Sequence, residues 1–133
     1  THLNPTYEYG VTFERGTAVS YGDRKHIFLS GTASIDRYGE IVHPGNVIKQ
    51  SERMIENITA LLNEAGADLN DIMQAIVYIR DTADFTRVEQ YMKANHPDIP
   101  YLIVRAPVCR PGWLVEIECI AVVAVDEPEY PSL

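Results

Sequence analysis

Residues 114–125 read LVEIECIAVVAV, and this stretch decides the fold. Its alternation predicts a strand with one fully apolar face, formed by Val115, Ile117, Cys119, Ala121, Val123 and Val125. The opposite face begins with two carboxylates and then becomes apolar, in the order Glu116, Glu118, Ile120, Val122 and Ala124. A strand that is apolar on both sides over half its length is typical of one that is covered on both sides.

The segments before this strand predict a sheet with two helices. An apolar stripe at helical spacing begins after Asn46, which is suited to cap a helix, and stops before Gly66, which is suited to end one. A shorter amphipathic run and several β-rich runs complete the pattern. The predicted elements are strands Val11–Ser20 and Lys25–Gly31, helix Asn46–Ala65, strand Gln74–Arg80, a helix over about Asp84–Ala94, and strands Tyr101–Cys109 and Leu114–Val125.

This ββ-α-β-α-ββ order predicts an α+β domain in which both helices pack on one face of a mixed sheet. Because the helices cover only one face, the apolar second face of strand 114–125 needs another partner. A copy of the same chain is the economical candidate, and we therefore expect a homo-oligomer.

Length and charge exclude several classes of protein. The 133 residues suit a single domain over 1–133, with a core at about 11–125 and an acidic tail at 126–133. A net charge of −8 disfavours nucleic acid as a partner, because an acidic surface repels phosphate. No apolar run approaches the ~20 residues that a membrane span needs, so no membrane partner is expected. Two cysteines are too few for a disulfide framework, which favours a reduced, cytoplasmic protein.

The turn before the last strand suggests a hairpin that carries chemistry. If Pro111 and Gly112 form the turn, Cys109 pairs with Leu114 and Arg105 with Glu118, and both lie on the face of Glu116. A guanidinium, a thiol and two carboxylates then line one surface. The alternative is a simple cross-strand ion pair on a solvated face, and a register slip of one residue turns one strand over.

Other polar residues give weaker signals. His2, His26, His43 and His96 are scattered, which favours surface or loop positions over metal ligation, and no metal site is expected. The strand end at residues 30–32, SGT, offers a hydroxyl and a backbone N–H, which suit a carboxylate cradle or an ordinary turn.

Four segments, taken together, resemble the YjgF/RidA family in order and spacing: FLSGTASI at 28–35, Gln50 followed by Asn57 and the pair at 61–62, VYIRD at 77–81, and VEIECIA at 115–121. The resemblance covers about 11–125. It implies a chorismate-mutase-like α+β fold, a homotrimer, and ligand clefts between subunits. It also implies a metal-free and cofactor-free activity, the hydrolysis of 2-aminoacrylate-type enamines and imines to 2-ketoacids and ammonia.

The same resemblance assigns residues to a cleft. Ser30 and Gly31 match the family's strand-end pair, and Phe13 stands where the family has a cleft tyrosine. Glu116 matches the cleft glutamate, which positions water or handles a proton.

The family's carboxylate-binding arginine has two candidate positions. It falls on Leu102 when the alignment starts from the Ile99-Pro100 pair, and Arg105 fills it when the alignment starts from the glutamate strand. A guanidinium suits this role because its donor fork binds a carboxylate bidentately.

A second resemblance is to the C-terminal half of chorismatases. It rests on SGTASI at 30–35, HPG at 43–45, and VCR at 108–110 leading into the glutamate strand. It implies cleavage of an enolpyruvyl ether, with Glu116 as the acid and Cys109 as a residue of the pocket. Chorismatases are about twice as long, and their N-terminal half has no counterpart here.

These observations leave several functions open. We expect a protein that binds a small carboxylate-bearing metabolite in clefts between subunits, with enamine or imine deaminase chemistry as the candidate reaction. The alternatives are a chorismatase-like lyase or hydrolase acting on a cyclic carboxylate, and a non-catalytic ligand sensor or interaction protein. An RNA-cleaving role conflicts with the net charge of −8.

Overall fold

The computed structural model describes residues 10–13, 16–33, 40–108 and 112–126. Within these residues the α-helices are α1 Val47–Glu64 and α2 Phe85–Asn95, and short 3-10 helices lie at Leu69–Asp71 and Thr82–Asp84. The strands are β1 Gly10–Phe13, β2 Gly16–Ser20, β3 Arg24–Ala33, β4 Ile72–Ile79, β5 Tyr101–Arg105 and β6 Val115–Ala124.

The described strands form one mixed sheet in the order β1-β2-β3-β6-β4-β5. Only the β4–β5 pair is parallel, and α2 lies between these two strands in sequence, as a parallel connection requires. The predicted α+β class, mixed sheet and two helices are confirmed. The single strand predicted over 11–20 is wrong, because this stretch contains β1 and β2, which pair with each other from Phe13↔Gly16 onward.

The predicted hairpin between the last two strands is also wrong. β4 lies between β5 and β6, so Arg105 pairs with Ile79 and Glu118 pairs with Ile76. The physical reason is the crossover through α2, which adds β5 to the outer side of β4. The predicted partner of Leu114, Cys109, lies outside the described residues.

The strands alternate between two environments. The odd-numbered residues of β6 from Val115 to Ala121 are buried under the helices, in one core with Met54 of α1 and Met92 of α2. The other face carries the even-numbered side chains of β6, and we call it the open face. Its neighbouring strands contribute Phe28, Ile76, Tyr78, Leu102 and Val104. Phe28, Leu102 and Val104 are 40%, 67% and 40% exposed.

The ends of α1 follow the predicted signals. The Asn46 side chain accepts a hydrogen bond from the Lys49 amide at 3.0 Å, and Gly66 takes a φ of 85° just beyond the helix. Lys25 from β3 donates from Nζ to the carbonyl of Ala65, which places a positive charge at the negative end of the helix dipole. In the described part of the chain, neither helix has the length and apolar character needed to cross a bilayer.

Candidate functional site

The carboxylate of Glu116 lies directly over the backbone of Gly31. Glu116 is opposite Ala33 of β3. Just before Ala33, the pairing of β3 with β6 is interrupted by a bulge between Leu29 and Thr32, and this bulge contains Ser30 and Gly31. A Cβ placed on Gly31 would lie 1.8 Å from Glu116 Oε2 and 2.9 Å from its Cδ. The missing side chain at Gly31 therefore makes the space that this carboxylate occupies.

Tyr78 lies opposite Glu116 on the other neighbouring strand. Its hydroxyl donates a hydrogen bond to Glu118 Oε1, so Tyr78 contacts the second carboxylate of β6. This hydrogen bond raises the pKa of Tyr78, and burial and the charges of Glu118 and Glu116 raise it further. The phenol is therefore held protonated between two acidic side chains.

A small apolar wall stands beside these groups. Val108 and Trp113, which are 6% and 5% exposed, pack against Ala33, with Ile41 and Tyr78 at the edge of the cluster. Val108 and Trp113 come from the two described ends of the connection between β5 and β6. The side chains of Val108 and Trp113 therefore cover the end of the open face where Tyr78 is opposite Glu116.

Arg80 and Gln50 hold this connection through hydrogen bonds to its backbone. Arg80 donates to the carbonyls of Val108 and Trp113 at 2.7 and 2.9 Å. The fully buried Gln50 donates to the carbonyl of Gly112 at 3.0 Å and accepts from the Leu114 amide at 2.8 Å. Buried polar side chains with several backbone partners fix the position of a loop.

The sequence reasoning missed Gln50, Tyr78 and Arg80 as parts of the site. Gln50 falls within the apolar stripe of α1, between Val47 and Met54, and all three residues are buried. A polar residue in such a stripe signals a buried hydrogen-bond hub. Tyr78 and Arg80 belong to the segment VYIRD that contributes to the family resemblance. No local pattern predicts their contacts, because their partners depend on the strand order.

The structure brings together three of the six predicted site residues: Ser30, Gly31 and Glu116. Phe13 is aligned with Gly16, which pairs with Leu29 next to Ser30, so it lies at the same end of the sheet but two strands away. Cys109 lies outside the described residues.

Arg105 does not share a face with Glu116 in one chain. Its partner Ile79 belongs to the core face, whereas Glu116 is on the open face, and β4 separates the two strands. Leu102, the other candidate for the arginine position, is on the open face, opposite Ile76. The role of Arg105 in ligand binding stays a prediction.

Among the described residues, no three His, Cys, Asp or Glu side chains converge as a metal site would require. His43 is exposed in a loop, and His96 follows α2. His26 lies in β3 and accepts a hydrogen bond from Arg24 Nε at 3.1 Å. Cys119 is a free thiol in the core, and burial raises its pKa to about 12, so it does not act as a nucleophile near neutral pH.

Comparison with known proteins identifies relatives over most of the chain. A family model described as Endoribonuclease L-PSP matches residues 17–123. A RutC family protein of Pyrococcus abyssi is 39% identical over 98 residues, which are 71% of this chain and 76% of the relative. A 2-iminobutanoate/2-iminopropanoate deaminase of Capra hircus is 32% identical over 101 residues, which are 72% of either chain.

Solved structures share the fold. A putative endoribonuclease of Thermotoga maritima superposes with a TM-score of 0.69 at 29% identity, over 84% of this chain and 87% of that chain. A chorismatase superposes with a TM-score of 0.71 at 24% identity, over 83% of this chain but 36% of that chain. At this identity the second likeness shows the fold alone.

Proposed function

Because the chain belongs to the YjgF/RidA family, we propose that it hydrolyses small carboxylate-bearing imines or enamines in a cleft that contains Glu116 and is completed by a second copy of the chain. The observation that carries the proposal is the carboxylate of Glu116 held against Gly31 at the end of the open face. The goat relative named as an imine deaminase supports the same reaction class.

The proposed reaction needs a proton-handling group and an anchor for the substrate. The oxygen of water bonds to the imine carbon, the C=N bond becomes single, and the nitrogen leaves as ammonia when the C=O bond forms. Glu116 takes one proton from the attacking water and passes it to the imine nitrogen. It then takes the second proton from the new hydroxyl as the C=O bond forms and passes it to the same nitrogen, which leaves as ammonia. The overall balance is imine plus water to 2-ketoacid plus ammonia, with no redox step.

The anchor in this proposal is Arg105 of a neighbouring copy. Arg105 is exposed on the outermost strand of the sheet, where it is available to another subunit. Within its own chain it is on the opposite face from Glu116, which is the reason the site needs two copies. A guanidinium binds a substrate carboxylate through two parallel hydrogen bonds.

We propose a homotrimer in which the open faces are covered by neighbouring subunits. The support is the apolar surface formed by exposed Phe28 and Leu102 with half-buried Ile120, which the two helices on the other face leave uncovered. Light scattering of the parent protein is expected to give three times the chain mass. Ile120→Glu places a charge on this surface and is expected to give monomers. The control Ala60→Glu, at an exposed position of α1, is expected to keep the trimer. A stable monomer of the parent across micromolar concentrations refutes the assembly and the shared cleft.

The activity is tested with imines made in situ by an amino-acid oxidase or by a pyridoxal-phosphate-dependent dehydratase. The parent protein is expected to accelerate release of 2-ketoacid and ammonia above the spontaneous rate. Glu116→Gln is expected to abolish this acceleration while binding of a 2-ketoacid product is kept; Glu52→Gln, on the exposed side of α1, is the matched control. Arg105→Ala is expected to weaken 2-ketoacid binding by about tenfold to a hundredfold, against Arg87→Ala as control. Turnover that survives Glu116→Gln refutes the assignment.

The same experiments separate the alternatives. Ligand binding without turnover by the parent supports the sensor function, which uses the same cleft. Turnover of chorismate, but not of imines, supports a chorismatase-like reaction. The support for this alternative is the likeness in fold and the resemblance of the segments at 30–35, 43–45 and 108–110. Unchanged binding of every 2-ketoacid and benzoate-like acid by Arg105→Ala shows that Arg105 is not the anchor.

A further inference from the structure

The connection between β5 and β6 is attached to the end of β4 on both sides. The Ala106 amide donates to the carbonyl of Ile79 at 3.0 Å, and the Arg80 amide donates to the carbonyl of Leu114 at 3.1 Å. The end of β4 therefore lies between the chain that leaves β5 and the chain that enters β6. Arg80 is the first residue beyond β4.

The Arg80 guanidinium spans the two ends of this connection. Its Nε donates to the carbonyl of Trp113 at 2.9 Å, and its terminal nitrogen donates to the carbonyl of Val108 at 2.7 Å. These carbonyls belong to the two residues whose side chains form the apolar wall against Ala33. One planar guanidinium thus holds both parts of the wall. A lysine would hold them less firmly, because its ammonium group is a single point of charge on a flexible stem.

The wall borders the proposed reaction site. Val108 and Trp113 pack with Tyr78 at the edge of their cluster, and Tyr78 is opposite Glu116. A shift of the connection therefore changes the surface that a ligand meets beside the Glu116 carboxylate. A misplacement of about 1 Å in a binding surface can lower a reaction rate by about a hundredfold.

We propose that Arg80 is a positioning residue of the Glu116 site: it joins the two ends of the β5–β6 connection and so holds the Val108–Trp113 wall against the open face. The effect on turnover rests on the proposed deaminase function. The effect on the wall does not, and the chain carries its own reporter of it.

The reporter is Trp113, because the chain contains 1 tryptophan. In the parent protein, buried Trp113 is expected to emit at short wavelength and to be poorly quenched by acrylamide. Arg80→Met is expected to shift the emission to the red and to raise the quenching constant about threefold or more, as a buried wall becomes open to solvent. Arg80→Lys is expected to give an emission wavelength and a quenching constant between those of the parent and Arg80→Met. The control Arg87→Met, at an exposed position of α2, is expected to match the parent.

Turnover of in-situ imines completes the test. Arg80→Met is expected to raise KM by about tenfold or more with a smaller change in kcat, because the wall shapes the binding surface while Glu116 is unchanged. Arg80→Lys is expected to restore part of the loss. Circular dichroism establishes that each variant is folded; if Arg80→Met does not fold, Arg80→Lys takes its place in both arms.

Two results overturn the proposal. One is a folded Arg80 variant whose Trp113 emission and quenching equal those of the parent. The other is a changed Trp113 signal with unchanged KM and kcat, which makes Arg80 structural only. If the parent itself does not hydrolyse imines, the proposed function fails, while the fluorescence comparison still decides whether Arg80 holds the wall.

Discussion

Replacing Gln50 with leucine should destabilise the protein through loss of buried hydrogen bonds alone. Gln50 is fully buried in α1, and its side chain bonds the carbonyls of His43 and Gly112 and the amide of Leu114, at 3.2, 3.0 and 2.8 Å. Leucine has nearly the same helix propensity and is also large enough to fill most of the space. The substitution therefore removes three polar contacts and changes little else.

The magnitude follows from those contacts. Each net hydrogen bond contributes about 1 kcal/mol, and a buried amide left without a partner costs somewhat more. We expect the free energy of unfolding to fall by about 3 kcal/mol, a large part of the ~5–15 kcal/mol available to a domain. With a denaturant slope of about 2 kcal/mol per molar urea, the unfolding midpoint falls by about 1.5 M.

The assay is urea unfolding followed by circular dichroism at one fixed protein concentration, because assembly makes apparent stability concentration-dependent. The control is Gln90→Leu on α2, where the side chain is exposed and the midpoint should move by less than about 0.3 M. Trp113 fluorescence is expected to change in Gln50→Leu under native conditions, because Gln50 holds both neighbours of Trp113. A Gln50→Leu midpoint equal to that of Gln90→Leu refutes the assignment of Gln50 as a hydrogen-bond hub.

Three further outcomes are expected. Gly31→Ala should displace the Glu116 carboxylate, because the added Cβ would lie 1.8 Å from Glu116 Oε2. We expect kcat for imines to fall by about tenfold or more, with little change in melting temperature. An unchanged kcat contradicts this geometry. Burial raises the pKa of the Cys119 thiol from 9.0 to about 12, so thiol reagents at pH 8 should label it only in denaturant. The same shift means that the free energy of unfolding should fall as the pH rises from 9.0 to about 12. The raised pKa of Tyr78 means that the stabilising Tyr78–Glu118 hydrogen bond persists below pH 10.0 and is lost as pH rises through the higher folded value. Tyr78→Phe should therefore remove a phenol that titrates above pH 10.0 from an ultraviolet titration. Loss of a phenol that titrates at or below pH 10.0 contradicts this expectation.

Local patterns were sufficient for several elements. The stripe that contains Met54 and the cap at Asn46 predicted α1 nearly to its ends, because helix periodicity and capping depend on residues within a few positions of each other. The alternation in residues 115–121 predicted which side chains of β6 are buried, for the same reason. Glu116 and Gly31 were assigned to one cleft by resemblance to a family, not by spacing.

Strand order was not predictable from these patterns. A strand, a Pro-Gly turn and a second strand are consistent with a hairpin, but the chain adds β5 in parallel to β4 through α2, which separates Arg105 from Glu118. Alternation specifies the faces of a strand and says nothing about which strand lies beside it. The contacts of Tyr78 and Arg80 therefore had no signal in the sequence.

The sequence by itself determined the α+β class, the buried face of β6 and the apolar character of the opposite face, because burial of alternating or helically spaced apolar residues is a local requirement. Only the tertiary structure decided that β4 separates β5 from β6, that Arg105 and Glu116 are on different faces of one chain, and that Gln50 and Arg80 hold the wall beside Tyr78. These are contacts between residues far apart in the chain, and their geometry exists only after the sheet has assembled around the shared core.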